Sequence, residues 1–421
     1  MLKIAIIGSG ISGLSAAYLL KRKHDITLFE KESRLGGHSR TVTVRKAEQI
    51  IPVDTGFIVF NERNYPNLTA LFAELKVPVK DSDMTYAMSV GDGEFEWGAQ
   101  DLNTIFGQRR NILRPSFYRL FGEVMRFNRA AEQAVAADPA ISLGDLIGAM
   151  GLSENFRQLY LLPMSGAIWS SPPRQMLEFP AKVFVDFFRN HGLLAMSGQP
   201  QWRTVDGGST QYVSRIAAEL GNTVKLGCAA VAVRRDKTGI VITDGTGATS
   251  SYDHVVFACH SDEALGLLSD ATSQEAHALA AIRYQPNEAI LHSNPQFMPR
   301  RERCWASWNY KSDGKGNEPA VSVTYWMNRL QGIDRSCPLF VTLNPQLPID
   351  ASQIFDRHMF HHPVFDAGAI KAQSSIAAMQ GQNNTWFCGA YMRHGFHEDG
   401  LHSALKVVDR LGCKPTWAVL D

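Results

Sequence analysis

The residues with the clearest chemistry lie in the first forty positions. Gly8, Gly10 and Gly13 have the G-x-G-x-x-G spacing, with Ser9, Ile11 and Ser12 between them, and Glu30 closes the next apolar run. The first glycine of such a loop permits a tight turn. The second lets backbone N–H groups approach a pyrophosphate, and the third lets a helix pack closely on a strand. The helix N-terminus adds partial positive charge and free donors. An acid placed like Glu30 accepts hydrogen bonds from ribose hydroxyls and disfavours a 2′-phosphate. The chemistry is dinucleotide binding. Lys31, Arg34, Gly36 and Gly37 follow at once, placing charge and bare backbone near the rest of an extended dinucleotide.

These residues need a strand–turn–helix–strand frame, and the sequence supplies one. Leu2–Ile7 reads as a buried parallel strand, Leu14–Lys23 as a helix and Ile26–Glu30 as a second strand, a βαβ unit. Further on, Val53–Phe60 reads as one strand, Pro66–Leu75 as a helix, and Ser82–Trp97 as a hairpin turning at Gly91-Asp92-Gly93. Residues 115–191 read as mostly helical, with breaks at Pro139, Pro163, Pro172-Pro173 and Pro180. A glycine turn at Gly207-Gly208 opens a helix to Leu220. Strands follow at Val224–Leu226, Ala229–Arg234, Gly239–Thr243 and His254–Ala258. A second sheet is expected from Ala289–His292, Trp305–Tyr310, Val321–Met327 and Leu339–Leu343. Trp386–Gly389 and a helix from Gly400 to Leu411 end the series. The predicted fold class is α/β: a Rossmann-like domain from 1–75, 200–265 and 375–421, and a discontinuous substrate domain from 76–199 and 266–374, with a mixed sheet and a helical cap.

Composition excludes several function classes. The chain has 421 residues, 45% hydrophobic and 20% charged, with formal net charge +1, so it can build two cores and has no concentrated basic face for nucleic acid. Arg109-Arg110 and Arg300-Arg301 read as solvated surface. Six scattered cysteines show no CxxC pair, and His361-His362 has no third ligand at metal spacing, so no metal is expected. The apolar start, Leu2–Leu20, is interrupted by glycine and serine and lacks a charged leader region. The expected location is cytoplasmic, with peripheral contact at the inner membrane face allowed for.

Glu30 through Thr41, containing Arg34, Gly36-Gly37, His38 and Ser39, resembles the double-glycine motif of the flavoprotein superfamily of amine oxidases, protoporphyrinogen oxidases and phytoene desaturases. Asp54-Thr55-Gly56 resembles its acid-x-glycine segment beside the flavin. Gly207-Gly208 resembles its turn before a helix, and Val224–Val233 the strand pair whose Val231 backbone lies near adenine. Gly389 through Gly400, with Phe396, His397 and Glu398, resembles its C-terminal flavin motif. The resemblance implies non-covalent FAD held from both ends of the chain. It departs from the pattern at His38, where arginine is usual, and at Ala390-Tyr391, where an acid is usual. The double-glycine and C-terminal segments also resemble a bacterial branch of predicted NAD/FAD-binding proteins associated with cyclopropane-fatty-acid-synthase-type methyltransferases, which implies a functional pairing with a lipid methyltransferase.

Flavin oxidation of a C–H bond needs a held substrate, excluded water and, for desaturation, a proton acceptor. His38 and His397 are the candidate catalytic residues, with helix capping or cofactor hydrogen bonding as the alternative for each. Glu398 reads as structural or cofactor-positioning, and His260 as a helix cap. The aromatic stretch Leu159–Phe188 reads chiefly as helical core, with a lipophilic tunnel as the alternative, and Tyr310, Tyr325 and Trp326 as the facing wall. The expected function is an FAD-dependent oxidoreductase oxidising or desaturating a small lipophilic substrate, a fatty-acyl chain foremost. Alternatives are an amine oxidase, a redox-neutral isomerase and a flavin-binding scaffold.

Overall fold

The computed structural model describes the chain apart from residues 47, 170–175, 191–193, 195–199, 238, 315–320 and 421, and apart from the side chains of 166–169 and 190. Its organising element is a five-stranded parallel sheet gathered from the whole sequence. Strand β1 (Lys3–Ile7) leads through helix α1 (Ile11–Leu20) into β2 (Asp25–Glu30). Helices α2 (Pro66–Glu74), α3 (Pro115–Ala137) and α4 (Thr210–Leu220) precede β3 (Val224–Leu226) and β4 (His254–Phe257). β5 (Thr385–Phe387) and helix α5 (His397–Arg410) come last. The sheet order is β3-β2-β1-β4-β5, all parallel. β1 is central because its run Ile4-Ala5-Ile6-Ile7 is apolar on both faces and is buried on both.

A seven-stranded sheet forms the second layer system, in the order Ile354–Val364, Arg283–His292, Phe340–Leu343, Val321–Trp326, Trp308–Ser312, Tyr86–Val90 and Phe95–Gly98. Its pairs are antiparallel except that Trp308–Ser312 runs parallel to Tyr86–Val90. The period-2 pleat separates neighbouring aromatics. Tyr310 and Tyr325 face the helical cap, whereas Trp326 turns to the other side against Trp305 and Phe340. Trp326 therefore does not belong to the expected wall.

The cap is a core in its own right. Tyr160, Leu161, Leu162, Met164, Phe179, Phe184, Phe187 and Phe188 are all buried, packed with Phe117 and Phe127 of α3. This favours the core reading of that stretch; the side chains of Ile168 and Trp169 lie outside the described residues.

Several local expectations differ from the structure. The last helix starts at His397 and not at Gly400, and the strands expected at Trp305–Tyr310 and Ala289–His292 are Trp308–Ser312 and Arg283–His292. Helix α1 begins at Ile11 and not at Leu14, because Gly10 already stands at its N-cap. The single strand expected at 53–60 is two, Gln49–Asp54 and Val59–Asn61, with Gly56 in the intervening loop. The 11-residue strand Ile354–Val364 was not anticipated. It is an edge strand in which Asp356, Arg357 and Pro363 are tolerated, since only one side of its backbone needs partners.

Candidate functional site

The glycine loop is built as the spacing requires. Gly8 has a φ of 100°, and its N–H donates to the Phe29 carbonyl at 2.9 Å, bending the chain from β1 into α1. A Cβ on Gly13 would stand 1.8 Å from the Gly8 carbonyl oxygen, so only glycine lets α1 sit this close to β1. A Cβ on Gly10 would meet nothing within 4 Å. Space therefore opens at the start of α1, where no side chain caps the helix and the N–H groups of its first turn lack intrahelical partners.

Glu30, at the end of β2, is buried. Its carboxylate accepts from the Ser9 N–H at 2.9 Å, the Ser9 hydroxyl and the Glu32 N–H at 2.9 Å. That uses three of about four acceptor positions on a carboxylate. The double glycine docks on the same loop: the Gly36 N–H donates to the Ser9 carbonyl at 3.0 Å, and a Cβ on Gly37 would lie 3.0 Å from the Gly10 Cα. Arg34 turns back, donating to the Gly37 carbonyl at 2.9 Å. Burial lowers its pKa from the usual guanidinium value.

The C-terminal segment meets this loop head-on. A Cβ on Gly400 would stand 2.9 Å from Ile11 Cγ2 and 3.0 Å from Ser12 Oγ. The Ser12 hydroxyl donates to the Gly400 carbonyl at 2.9 Å. The first turns of α1 and α5 thus touch, and two helix N-termini contribute positive potential to one place. Gly389, just past β5, donates its N–H to the Ser403 hydroxyl of α5 at 2.9 Å. Asp399 accepts the N–H groups of Phe396 at 2.9 Å and His394 at 3.2 Å, shaping the turn into α5.

His397 stacks on Phe57 with ring centroids 3.9 Å apart, and its Nε2 meets the Ser39 hydroxyl at 2.8 Å and the Tyr212 hydroxyl at 3.2 Å. Burial pushes its pKa down to about 3, so the ring is neutral at ordinary pH. His38 lies 4.8 Å from Phe360, 5.4 Å from His362 and 6.2 Å from His260, ring centre to ring centre. Burial, then its histidine neighbours, holds its pKa well below 6.5. Its carbonyl accepts from the Phe57 N–H at 2.9 Å, and a Cβ on Gly56 would stand 2.1 Å from it.

His38, Cys259, His260, Tyr284, Tyr325, His362 and His397 share a further property. Each lies deep among protein atoms yet keeps accessible surface. Groups of that kind line internal space. Tyr284 stacks on His260 at 4.2 Å, and His260 is the N-cap residue of a short helix at Ser261–Leu267.

The structure thus brings together Gly8 through Gly13, Glu30, Gly36, Gly37, His38, Ser39, Gly56, Gly389, Phe396 and His397. Two expected ligand residues, Asp54 and Glu398, spend their carboxylates within the fold. Asp54 is fully buried and bonds Thr41 Oγ1, Ser209 N–H and Oγ, and Gln331 Nε2; burial raises its pKa to about 6. Glu398 bonds the Asn67 and Leu68 N–H groups, capping α2 from outside. Lys31 pairs with Glu263 at 2.6 Å, and Val231 is 50% exposed on the strand Ala230–Asp236. Phe57, Tyr212 and Phe360 are site residues that sequence reasoning did not single out, and His362 enters that reasoning only as a candidate metal ligand. Only Tyr212, on the helix after Gly207-Gly208, carried a local signal.

The family profile described as flavin-containing amine oxidoreductase matches residues 11–328. The chain belongs to that family. Its cofactor is FAD, and the site fits it: an open cradle at Gly10, uncapped donors at two helix starts, and a buried acid with an acceptor position to spare. This flavoprotein is 25% identical over 263 residues to an L-amino acid dehydrogenase of Synechocystis, covering 58% of this chain and 52% of that one. It is 23% identical over 313 residues to a coproporphyrinogen III oxidase of Mycobacterium leprae, covering 69% and 67%. It spans about half the length of the first curated relatives it matches. In fold, it is similar to a fatty acid isomerase from P. acnes, with TM-score 0.69, 15% identity and coverage of 98% and 99%. A cyclohexylamine oxidase from Brevibacterium oxydans gives 0.65, 17%, 97% and 99%.

Proposed function

We propose that the protein is an FAD-dependent oxidoreductase that oxidises or desaturates a neutral, lipophilic substrate, with a fatty-acyl chain as the best-supported class. One observation carries this reading: the side chains gathered beside the glycine loop and the start of α5 are aromatic rings and histidines held neutral by burial. Asp54, Glu398 and Asp399 are buried and committed to hydrogen bonds within the fold, and Glu263, whose charge acts on Cys259 and His260, is paired with Lys31. A cationic amine would enter such a space without a counter-charge, whereas an acyl chain needs none. Bound non-covalently, FAD supplies the hydride acceptor.

The residues around it exclude water and hold protons in place. Phe187 of the cap stacks on Phe396 at 4.9 Å, closing the cap over the start of α5. Among the described residues, no hydrogen bond engages the ring nitrogens of His38, so His38 stands as the better-placed proton acceptor and His397 as a positioning residue. Redox-neutral isomerisation of an acyl chain is a second reading, supported by the full-length fold likeness to the fatty acid isomerase.

The test is anaerobic mixing of holoprotein with acyl phospholipid, free unsaturated fatty acid or primary amine. Bleaching of the flavin by an acyl substrate with loss of two hydrogens supports oxidation. A moved double bond without lasting bleaching supports isomerisation. Bleaching by amines alone overturns both. The pairing with a lipid methyltransferase predicts that deleting either gene alters the same acyl species in whole-cell lipid mass spectra.

A further inference from the structure

We propose that a face built by residues 102–119 and 300–303 docks the protein on an anionic lipid bilayer. Leu113 is 86% exposed, Leu102 73%, Tyr118 52% and Ile112 46%. They are neighbours: Leu102 opens a short helix whose Asn103 bonds Arg109, Ile112 and Leu113 end the following turn, and the Tyr118 hydroxyl donates to the Ile112 carbonyl at 2.9 Å. Isolated exposed leucines are ordinary, but a contiguous set rimmed by charge marks an interaction site.

The two arginine pairs that look like scattered surface charge in the sequence meet at this face. Arg109, Arg110, Arg301 and Arg303 line one recess of about 570 Å³, with Glu302 beside them. Arg300 pairs with Asp92, Arg301 with buried Glu96 and Arg119 with Glu123. Asp101 is used as the cap of the short helix. Among the described residues, Arg109, Arg110, Arg114 and Arg303 have no carboxylate partner. They bond instead to carbonyls or amides, or to nothing the fold supplies. Against these four stand Asp101, Glu94 and Glu302, a local excess of one positive charge, with Arg109, Arg110 and Arg303 gathered at the one recess.

Phosphate oxygens suit the guanidinium forks, and the leucines and tyrosine suit the layer just beneath headgroups. Nucleic acid would use the arginines and leave the leucines in water. No described helix is long and apolar enough to cross a membrane, so the contact is peripheral. The platform is rigid, because the inner sides of the same segments, Phe106, Phe117 and Leu120, belong to the cap core.

The experiment is co-sedimentation of holoprotein with vesicles of phosphatidylcholine alone or mixed equally with phosphatidylglycerol. Expected is binding to the mixed vesicles, weakened by salt, with about fivefold weaker partitioning for each arginine removed in R109Q and R110Q. L102S/L113S is expected to weaken binding to the mixed vesicles while melting like the parent, since both side chains are exposed. No vesicle binding, or variants that bind like the parent, overturns the proposal. So does binding of heparin or duplex DNA that L102S/L113S leaves unchanged while vesicles are ignored. The readout is sedimentation and not turnover, so it stands or falls apart from the acyl-chain reading.

Discussion

Gly10 and Gly13 are both glycines of one loop, yet they are required for different reasons. At Gly13 the obstacle is the Gly8 backbone 1.8 Å away, which cannot step aside. Gly13→Ala is expected to cost about 1–3 kcal/mol or more through overpacking and to yield protein without flavin. At Gly10 the backbone has a φ of −65° and the Cβ meets nothing. Gly10→Ala should therefore fold and melt like the parent apoprotein but bind FAD at least about tenfold more weakly, a loss of roughly 1.4 kcal/mol. Flavin absorbance titration beside thermal melting separates the two. Equal melting loss in both variants would contradict the assignment of Gly10 to the cofactor space. These residues were legible in the sequence because the motif is local and its spacing is its function. His362 and Phe360 were not, because a residue's meaning there depends on an edge strand that lacks an apolar run.

Between elements, the acids do structural work that their motif positions do not announce. Glu398 joins the start of α5 to the start of α2 through the N–H groups of Asn67 and Leu68 and the Asn67 amide. Glu398→Ala leaves those buried donors without partners and is expected to cost about 1–3 kcal/mol. Glu398→Gln, which keeps one acceptor oxygen, should lose less. Thermal unfolding at saturating FAD is the measurement; an unchanged melting temperature for the alanine variant would show that water replaces the cap. Asp54 makes a comparable junction among the hairpin Thr41–Asp54, the start of α4 and Gln331. The sequence showed an acid near a glycine in both places. Which neighbours would claim its oxygens is set by tertiary packing, and no local pattern records that.

At the scale of the molecule, buried histidines set the response to acid. His397 is depressed to about 3, and His292 and His362 to about 4, burial being the first cause in each. Between pH 6.5 and 4 the unfolded chain binds protons at these sites that the folded chain refuses, so stability falls as pH falls. Asp54, raised to about 6, works in the opposite direction between pH 6 and 3.8, taking up its proton first in the folded state. His38, His254, His260 and His358 are depressed in the same sense, and Glu398 and Asp399 are raised like Asp54; seven histidines against three carboxyls leave a net loss on acidification, at most about 1.4 kcal/mol per pH unit for each uncompensated histidine. Urea midpoints measured from pH 7 to pH 4 should decline, and His292→Gln, at a fully buried site, should flatten the slope. A midpoint that rises toward pH 4 would refute this balance. The order of β3-β2-β1-β4-β5 has one more consequence, for biogenesis. The central strand precedes its neighbour β4 by some 250 residues, and the outer strand β5 and helix α5 follow later still. At about 5–20 residues per second, β1 waits on the order of tens of seconds with an apolar edge uncovered before β4 is made. The FAD site is therefore incomplete until α5 has followed β1 by some 390 residues, and a chain stalled between the two should hold no flavin.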